Sequence, residues 1–457
     1  MNDRFRNRGF LSRPGALSPA LERVLARLDK LVNLERADRS EGAAGAGAVR
    51  RVDLRPVRDL LERLGDPQNA FPAVHVAGTK GKGSVSALVA AAAARAGYRV
   101  GLYTSPHVES VVERVAVEGR PIAPDRLAGA LEGALDARDA ATRHGTSARD
   151  ASWFDVLTAA ALAAFAEARL DLAVVEVGLG GRLDSTNVVR SEVCVVTNID
   201  LEHTAILGST RAAIAGEKAG IVRHPCAVVT GIAPDDAEAA PPLLAAVAAA
   251  GASLRHVAQN GPLSARNLAL AAAAVEELAA RGWAGRGATP LAPELVDDAS
   301  VQEAARLPGR GECLQLRGIP VVLDGAHVPS SLRVVLDDLE GDSRLRGRPQ
   351  ALLGVGLDKD AAGLLKVLRD RVDRVFCTSA GDGPYRAPQE LLALASRLGI
   401  AAEASPPGDA LQAAVGRAQP DGWVLVTGSL HLVGAVRSRI PSSPEDPSCS
   451  PSYPTSS

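Results

Sequence analysis

Short apolar runs alternate with amphipathic or alanine-rich stretches along most of this chain. Strands buried on both faces are apolar throughout, whereas helices follow a period of 3.6 residues, so the alternation predicts strands and helices in turn. In the first series the predicted strands are 71–77, 99–105, 171–178, 193–199 and 226–231. The predicted helices are 18–36, 54–64, an alanine-rich helix after residue 84, 152–170, 210–222 and 263–281. The pattern indicates a doubly wound, mostly parallel sheet.

A second, smaller series of the same kind begins near residue 299. Its predicted strands are 321–327, 350–356, 374–380 and 422–428, and its predicted helices are 329–340, 360–370, 388–398 and 408–418. The predicted fold class is therefore α/β: a P-loop-type doubly wound, mostly parallel sheet domain followed by a smaller Rossmann-like α/β domain.

The domain limits follow from composition. We expect domains at 18–290 and 298–440, joined by the Pro- and Gly-containing stretch 283–298. A flexible N-terminus (1–17), a Gly/Ala-rich flexible insert (39–48) and a disordered Pro/Ser-rich tail (441–457) complete the predicted organisation.

Composition excludes several classes of function. The net charge is −2 and aromatic residues make up 3% of the 457 residues, which disfavours nucleic-acid binding. No apolar run has membrane length, so no membrane partner is expected. Five scattered cysteines without a CxxC pair indicate a reduced, cytoplasmic protein without structural zinc. The Arg-rich N-terminus lacks the apolar core of a signal peptide, and a mitochondrial presequence is the alternative for it.

The sequence GTKGKGS at 78–84 carries the clearest chemical signal. It follows a predicted buried strand and precedes a predicted helix, the arrangement that surrounds nucleotide phosphates with backbone N–H groups. Lys82 adds a positive charge. The strict P-loop pattern places Ser or Thr directly after this lysine, but Gly83 intervenes, so the loop is a variant.

Further polar residues lie at the ends of other predicted strands. Glu176 ends one strand, and the cluster Asp200, Glu202 and His203 follows another. Carboxylates at such positions suit Mg²⁺. A salt-bridged glutamate and a structural histidine are the alternatives. Lys218 falls inside a predicted helix, where the pattern alone favours a solvated lysine and a functional role requires burial and a lowered pKa.

In the second series, Asp324 follows an apolar strand in the sequence DGAH, and Arg310 precedes that strand. Together they could hold a nucleotide, or form an interdomain salt bridge. Polar groups at strand ends of both domains predict a cleft between the domains.

Taken together, these residues resemble the folylpolyglutamate synthase/dihydrofolate synthase family of the Mur-ligase superfamily. The matching stretches occur in family order and cover 18–438: HVAGTKGKGS (75–84), TSPHVESVVERVAVEGRPI (104–122), VVEVGLGGRLDSTNVV (174–189), TNIDLEHTAILG (197–208), EKAGIV (217–222), PGRGE (308–312), DGAH (324–327), LDKD (357–360) and VLVTGSLHLVG (424–434). Gly83 is part of the family's own form of the loop.

The resemblance implies an ATP-dependent amide ligase. ATP phosphorylates a carboxylate of a pteroate or folate, and the amine of L-glutamate attacks the acyl phosphate, giving an amide, ADP and phosphate. The implied cofactors are ATP and Mg²⁺, with Lys218 carbamylated. The implied partners are pteroate or folate, L-glutamate and ATP, and the family suggests a monomer.

The same resemblance assigns residues to roles. The implied catalytic residues are Lys82, Glu176, His203, Lys218 and His327. The implied ATP contacts are Gly78, Thr79, Gly81, Lys82, Gly83, Ser84, Asn267, Arg310 and Asp324. The implied metal site comprises Ser105, Glu176, His203 and Lys218. The implied pterin-side positions are Phe154, Asp155, Arg182, Leu183 and Asp184.

The chain departs from the family pattern at several places. Lys80 stands where many members have Asn. Glu202 and Asp155 replace Asp and Glu, which keeps the charge and changes the reach. Val328 replaces the Asn after DGAH, and Leu263-Ser264 replaces a polar pair. The last two departures concern the adenine and second-domain contacts.

Two alternatives remain from the sequence. A Mur-type ligase for cell-wall precursors is disfavoured by the pterin-side segments and by the absence of a separate domain for a UDP-sugar. A catalytically degenerate ATP-binding relative is suggested by Val328 and Leu263, while Lys82, Glu176, His203 and Lys218 count against it.

Overall fold

The computed structural model describes residues 17–33, 53–381, 383–418 and 421–441. These residues form two compact units. The first contains 17–33, 53–261 and 265–306, and the second contains 262–264 and 307–441. The predicted N-terminal extension (1–16), the insert 39–48 and the tail from 442 onward lie outside the described residues.

The first unit is built on an eight-stranded sheet with the order β4-β3-β2-β5-β1-β6-β7-β8. Its strands are β1 Ala73–Ala77, β2 Val100–Tyr103, β3 Val115–Val117, β4 Arg120–Pro121, β5 Leu172–Glu176, β6 Ser191–Val196, β7 Ala227–Thr230 and β8 Ser253–His256. Neighbouring strands pair in parallel across β2-β5-β1-β6-β7-β8. Strands β3 and β4 form an antiparallel extension at the β2 edge.

Helices cover both faces of this sheet, as the doubly wound prediction requires. The helices are Pro19–Leu28, Arg55–Arg63, Lys82–Arg95, Pro124–His144, Trp153–Glu167, Thr204–Leu207, Arg211–Ala219, Ala240–Ala250, Leu263–Ala280 and Ala299–Ala304. Helix Trp153–Glu167 packs into one apolar cluster, and helix Arg211–Ala219 packs into a separate one that contains the strand residues Cys194 and Val228.

Helix Lys82–Arg95 is unusual because it is buried almost all round. The residues from Val85 to Ala93 are all buried, and alanines supply most of them. Small side chains allow this helix to lie close to the strands that it connects, which brings its first turn to the end of β1.

The second unit contains a six-stranded sheet with the order β13-β12-β11-β14-β10-β9. Its strands are β9 Arg310–Leu316, β10 Ile319–Asp324, β11 Gln350–Leu353, β12 Arg374–Cys377, β13 Ala402–Ala404 and β14 Val424–Thr427. All pairs are parallel except β9 with β10. Its helices are Pro329–Glu340, Ala361–Leu368, Pro388–Arg397, Pro407–Ala418 and Leu430–Arg437.

The predicted fold class is confirmed: both units are α/β, and both sheets are mostly parallel. Several elements were not predicted, among them the β3–β4 hairpin, the strands β8 and β13 and the helices Pro124–His144, Ala240–Ala250 and Leu430–Arg437. Among the described residues, no helix combines the length and the apolar character needed to cross a bilayer.

Candidate functional site

The carboxyl edge of the first sheet gathers three segments that the sequence had singled out. Strand β1 lies between β5 and β6, with Val76 opposite Glu176 and Ala77 opposite Val196. Because parallel strands end at the same edge, the segments that follow β1, β5 and β6 start side by side. Ligands of open α/β sheets bind at this kind of position.

The glycine loop, residues 78–84, requires glycine at two of its positions. Gly78 and Gly81 have φ values of 142° and 80°. A Cβ atom on Gly78 would lie 1.9 Å from Thr197 Oγ1, and one on Gly81 would lie 2.1 Å from Asn267 Oδ1. Both the backbone conformation and the close neighbours therefore exclude a larger side chain.

The glycine loop is fixed from behind by the segment after β6. Thr197 Oγ1 donates to the carbonyl of Lys80 across 2.6 Å, and the Lys80 N–H donates to Asn198 Oδ1 across 3.0 Å. Helix Lys82–Arg95 then begins with Gly81 as its N-cap, which offers no side-chain acceptor to the first turn. The N–H groups of that turn are thus available to an anion that binds at the loop.

Two lysines converge on this loop. Lys82 Nζ donates to the carbonyl oxygen of Gly78 across 2.9 Å, and Lys218 Nζ donates to the same oxygen across 2.9 Å. Lys218 also forms an ion pair with Glu202, with 2.6 Å between Nζ and Oε1. Its side chain is only 2% exposed, so the solvated helix lysine that the pattern alone favoured is wrong.

Burial and charge shift the pKa values of this pair. Burial lowers the pKa of Lys218 to about 8; Glu202 opposes this shift and Lys82 adds to it. Burial would raise the pKa of Glu202, but the positive charges of Lys82 and Lys218 outweigh burial and leave that pKa below its usual value. The sequence placed Glu202 in a polar cluster without predicting its pairing with Lys218.

Two of the four predicted metal ligands are in direct contact. The buried carboxylate of Glu176 accepts a hydrogen bond from the N–H of Ser105 across 3.0 Å. His203 is exposed in the segment after β6, with a positive φ of 46°. Across the described ranges, no group of three His, Cys, Asp or Glu side chains could by itself hold a metal ion. The predicted set also includes Ser105 and Lys218, so it stays a prediction.

The predicted pterin-side residues lie on two neighbouring elements. A Cβ atom on Gly178 would lie 2.6 Å from the Phe154 ring and 3.1 Å from Asp184 Oδ2, so these groups meet at the end of β5. Asp155 caps the helix Trp153–Glu167 at Ser152 and accepts from Ser185 Oγ across 2.6 Å.

The three predicted pterin-side residues Arg182, Leu183 and Asp184 have different environments. Burial raises the pKa of Asp184, although hydrogen bonds from Thr186 and Leu179 oppose the shift. Arg182 is exposed and pairs with Glu217 across 2.7 Å. Leu183 packs against the apolar cluster of the first sheet. Of the five predicted positions, Phe154 and Asp184 thus meet at Gly178, and Asp155 is linked to the same segment through Ser185.

Asn267 lies on helix Leu263–Ala280 with its side chain against Gly81. Its Oδ1 is buried and has no hydrogen-bond partner within the described part of the chain. A buried acceptor without a donor is costly in a folded protein, and a ligand donor at this place would satisfy it.

The second unit places Arg310 opposite Asp324 on the antiparallel pair β9 and β10. The two oxygens of Asp324 accept from the N–H groups of Gly311 and Ala326, each across 2.9 Å. Burial of this carboxyl group raises its pKa to about 6, against the opposing effects of these two bonds and of Arg310, although the residue as a whole keeps some solvent exposure. His327 Nδ1 lies 3.0 Å from the carbonyl oxygen of Gly325. The contacts of these residues with ATP stay predictions.

A buried ion pair supports this part of the second unit and was not predicted. Arg437 Nε lies 2.9 Å from Glu312 Oε2, and their side chains are 4% and 1% exposed. Glu312 also accepts from the N–H of Gly309 across 2.9 Å. The glutamate was visible in the PGRGE motif, but its partner lies far along the chain.

The fold and the site together define a phosphate-binding α/β protein, and residues 309–430 match the family model described as Mur ligase, glutamate ligase domain. A dihydrofolate synthase/folylpolyglutamate synthase of Mycobacterium tuberculosis is 34% identical over 392 residues, covering 76% of this chain and 78% of that protein. The chain belongs to the dihydrofolate synthase/folylpolyglutamate synthase family.

Solved structures agree with this assignment. Escherichia coli FolC in complex with DHPP and ADP has a TM-score of 0.74 at 28% identity, covering 93% of this chain and 99% of that one. A bifunctional folylpolyglutamate synthase/dihydrofolate synthase with Mn, AMPPNP and L-glutamate bound has a TM-score of 0.74 at 29% identity, with the same coverage.

Proposed function

We propose that this protein is an ATP-dependent ligase that adds L-glutamate to dihydropteroate, to reduced folates, or to both. The observation that carries the proposal is the convergence of Lys82 and Lys218 on the Gly78 carbonyl, at the N-terminus of a buried helix. Phosphoryl transfer concentrates negative charge, and catalysis of this step consists mainly of positioning and of charge stabilisation.

The residues present fit a nucleotide. Gly78 and Gly81 allow the loop to turn with positive φ and to lie close against Thr197 and Asn267. The helix N-terminus and Lys82 supply the positive potential that phosphates require. The unpartnered Oδ1 of Asn267 beside Gly81 suits an exocyclic amine, which the adenine base carries. We assign the phosphates to residues 78–84 and the base to Asn267.

The residues also fit a divalent cation. Glu176 offers a carboxylate at the end of β5, and Ser105, which bonds to it, offers a hydroxyl oxygen. Hard oxygen donors of this kind suit Mg²⁺, which would neutralise charge on the phosphates when bound. His203 and Lys218 complete the proposed set.

A carbamate on Lys218 is part of the proposal. Its Nζ is buried and adjoins Glu202, so a carbamate would place two anions next to each other. Such an arrangement requires a cation between them, which is consistent with a metal site here. The neutral amine is the form that reacts with CO₂, and the lowered pKa of Lys218 increases its share near neutral pH.

For the acceptor substrate we propose the region where Phe154, Gly178 and Asp184 meet. An aromatic ring and a buried carboxylate match a pterin, which is flat and carries amino and ring N–H donors. The reaction moves the γ-phosphoryl group of ATP to the substrate carboxylate and releases ADP. The glutamate amine then displaces phosphate and forms the amide.

Purified protein tests the proposal. With Mg-ATP present, ADP release is measured with L-glutamate and either dihydropteroate or tetrahydrofolate, and each component is omitted in turn. Release that needs both glutamate and a pterin supports the ligase. Release without any pterin, or no turnover with either acceptor, would reject it.

We also propose that the enzyme is a cytoplasmic monomer. None of the four described cysteines forms a disulfide bond, which is consistent with a reducing compartment. Size-exclusion chromatography with light scattering checks the oligomeric state.

A further inference from the structure

Three buried polar residues, His75, Thr186 and Asp184, form a hydrogen-bond chain next to the proposed pterin region. His75 lies in the middle of the apolar strand β1 and is 0% exposed. Its Nε2 lies 2.9 Å from Thr186 Oγ1. Thr186 in turn binds Asp184: its N–H lies 3.0 Å from Asp184 Oδ1, and its hydroxyl contacts the same oxygen.

The direction of these hydrogen bonds follows from the groups involved. A carboxylate only accepts, so the single proton of the Thr186 hydroxyl is donated to Asp184. The hydroxyl oxygen must therefore accept from His75, which fixes His75 as the neutral tautomer that carries its proton on Nε2. His75 Nδ1 is buried, and no partner for it lies within the described ranges.

Asp184, the last residue of this hydrogen-bond chain, holds the segment that follows β5. The second oxygen of Asp184 accepts from the N–H of Leu179 across 2.8 Å and lies close to Gly178, which touches the Phe154 ring. The residue between Asp184 and Thr186, Ser185, bonds to Asp155. The orientation of Thr186 thus affects the segments that carry the proposed pterin contacts.

We infer that His75 is a positioning residue for the acceptor substrate: acting through Thr186, it holds Asp184 and the segment 178–184 in the conformation that binds the pterin. This inference rests on the proposed function and adds a residue that does not itself touch substrate. Retaining a buried histidine with one unpartnered nitrogen costs stability, and a directional role for the other nitrogen accounts for its presence in an apolar strand.

The charges around the hydrogen-bond chain agree with donation from His75 to Thr186 and from Thr186 to Asp184. Burial lowers the pKa of His75 to about 3, and Arg223 adds to the effect, so His75 is neutral in the working range of pH. Asp184 and Lys218 also interact electrostatically, since the negative charge of Asp184 raises the pKa of Lys218. Removing the donor at position 75 leaves Thr186 free to rotate away and raises the pKa of Asp184 further.

The test compares His75→Leu and Thr186→Val with His75→Gln, whose amide nitrogen can replace the Nε2 donor. Val228→Ala, a buried substitution on β7 that does not touch the His75–Thr186–Asp184 hydrogen bonds, serves as the control for a general loss of stability. For each variant, KM is measured for the pterin substrate and for ATP, together with the pH profile of kcat/KM for the pterin.

For His75→Leu and Thr186→Val we expect the pterin KM to rise about tenfold, while the ATP KM changes little, because a hydrogen-bond chain to a charged group is lost. The acid limb of the profile should move to higher pH. His75→Gln should restore both values toward the wild type.

Unchanged pterin KM and acid limb in both His75→Leu and Thr186→Val would overturn the inference, as would equal changes in the two KM values. If one of these two variants does not fold, the measurements on the other variant test the inference. Absence of pterin-dependent turnover in the wild-type protein would instead reject the proposed function, so the two failures are distinct.

Discussion

Lys82 and Lys218, which lie on different helices, donate to the same carbonyl oxygen, that of Gly78. Glu202 is the acidic side chain bonded to this pair, through Lys218. Two ammonium groups that share one acceptor and one carboxylate carry an excess of positive charge. The proposed carbamate would remove this excess at Lys218 and leave Lys82 as the lysine that we expect to remain positively charged beside the phosphates.

Lys82→Ala should lower kcat by about 100-fold or more, since the developing charge on the phosphoryl group loses a fixed partner. Lys366→Ala removes an exposed lysine from a helix of the second unit and is the matched control. Steady-state ADP release measures both variants. Near-normal kcat in Lys82→Ala would contradict the assigned role.

Lys218→Ala should be inactive and should regain part of its activity when a small carboxylate such as acetate is added. The rescue is expected because the proposed carbamate acts as an anion. In wild-type protein, carbon-13 NMR with labelled bicarbonate should show a carbamate signal that is missing from the variant. A fully active Lys218→Ala without additive, or no carbamate signal in the wild type, speaks against the modification.

Gly81→Ala should abolish ATP binding, whereas Gly65→Ala should not. The two glycines have nearly equal φ values, 80° and 81°, so both variants carry the same backbone strain of about 1–2 kcal/mol. A Cβ on Gly65 meets nothing within 4 Å, but one on Gly81 meets Asn267. Calorimetric titration with ATP separates the effect of backbone strain, which both variants share, from the effect of the collision with Asn267. Equal ATP affinity in the two variants would refute this explanation.

Glu312→Ala should destabilise the second unit by about 3–5 kcal/mol, because it removes the carboxylate that pairs with the buried Arg437. Replacing both residues, as in Glu312→Met with Arg437→Leu, should recover most of this loss. Urea unfolding gives the values. Glu403→Ala, which breaks solvent-accessible pairs with Arg417 and Arg374, is the control and should cost less than about 1 kcal/mol.

His75 should make the protein sensitive to acid. Its pKa is lowered from 6.5 to about 3 in the folded state, so the stability that neutral His75 contributes is complete above pH 6.5 and is lost as the pH falls toward 3. By pH 4 the loss is about 3 kcal/mol. The decrease in unfolding free energy between pH 7 and pH 4 should be smaller in His75→Leu than in the wild type. His144→Gln, at an exposed position, should keep the wild-type decrease.

Much of the fold could be predicted because its strands are strongly apolar. The predicted strand 171–178 became Leu172–Glu176, and 193–199 became Ser191–Val196. The hairpin Val115–Val117 and Arg120–Pro121 was missed, since strands of two or three residues are too short to show a period.

The site was predictable in part. Loop composition and strand ends indicated Lys82 and Glu176, because glycines and terminal carboxylates are local signals. The burial of Lys218 was not visible from the sequence, since helical spacing does not show whether a neighbouring strand edge covers a side chain. His75 left a signal that could have been used: a single histidine inside an apolar strand.

The burial of helix Lys82–Arg95 on nearly all sides also connects catalysis with folding. A helix that is buried on nearly all sides gains little from forming alone, so we expect it to become ordered together with the strands around it. The first turn, which is half-exposed at Lys82 and Ser84, continues directly into this buried part, so we expect it to stay ordered while the rest of the unit is intact. Nucleotide binding and the cooperative folding of the first unit should appear and disappear as one event.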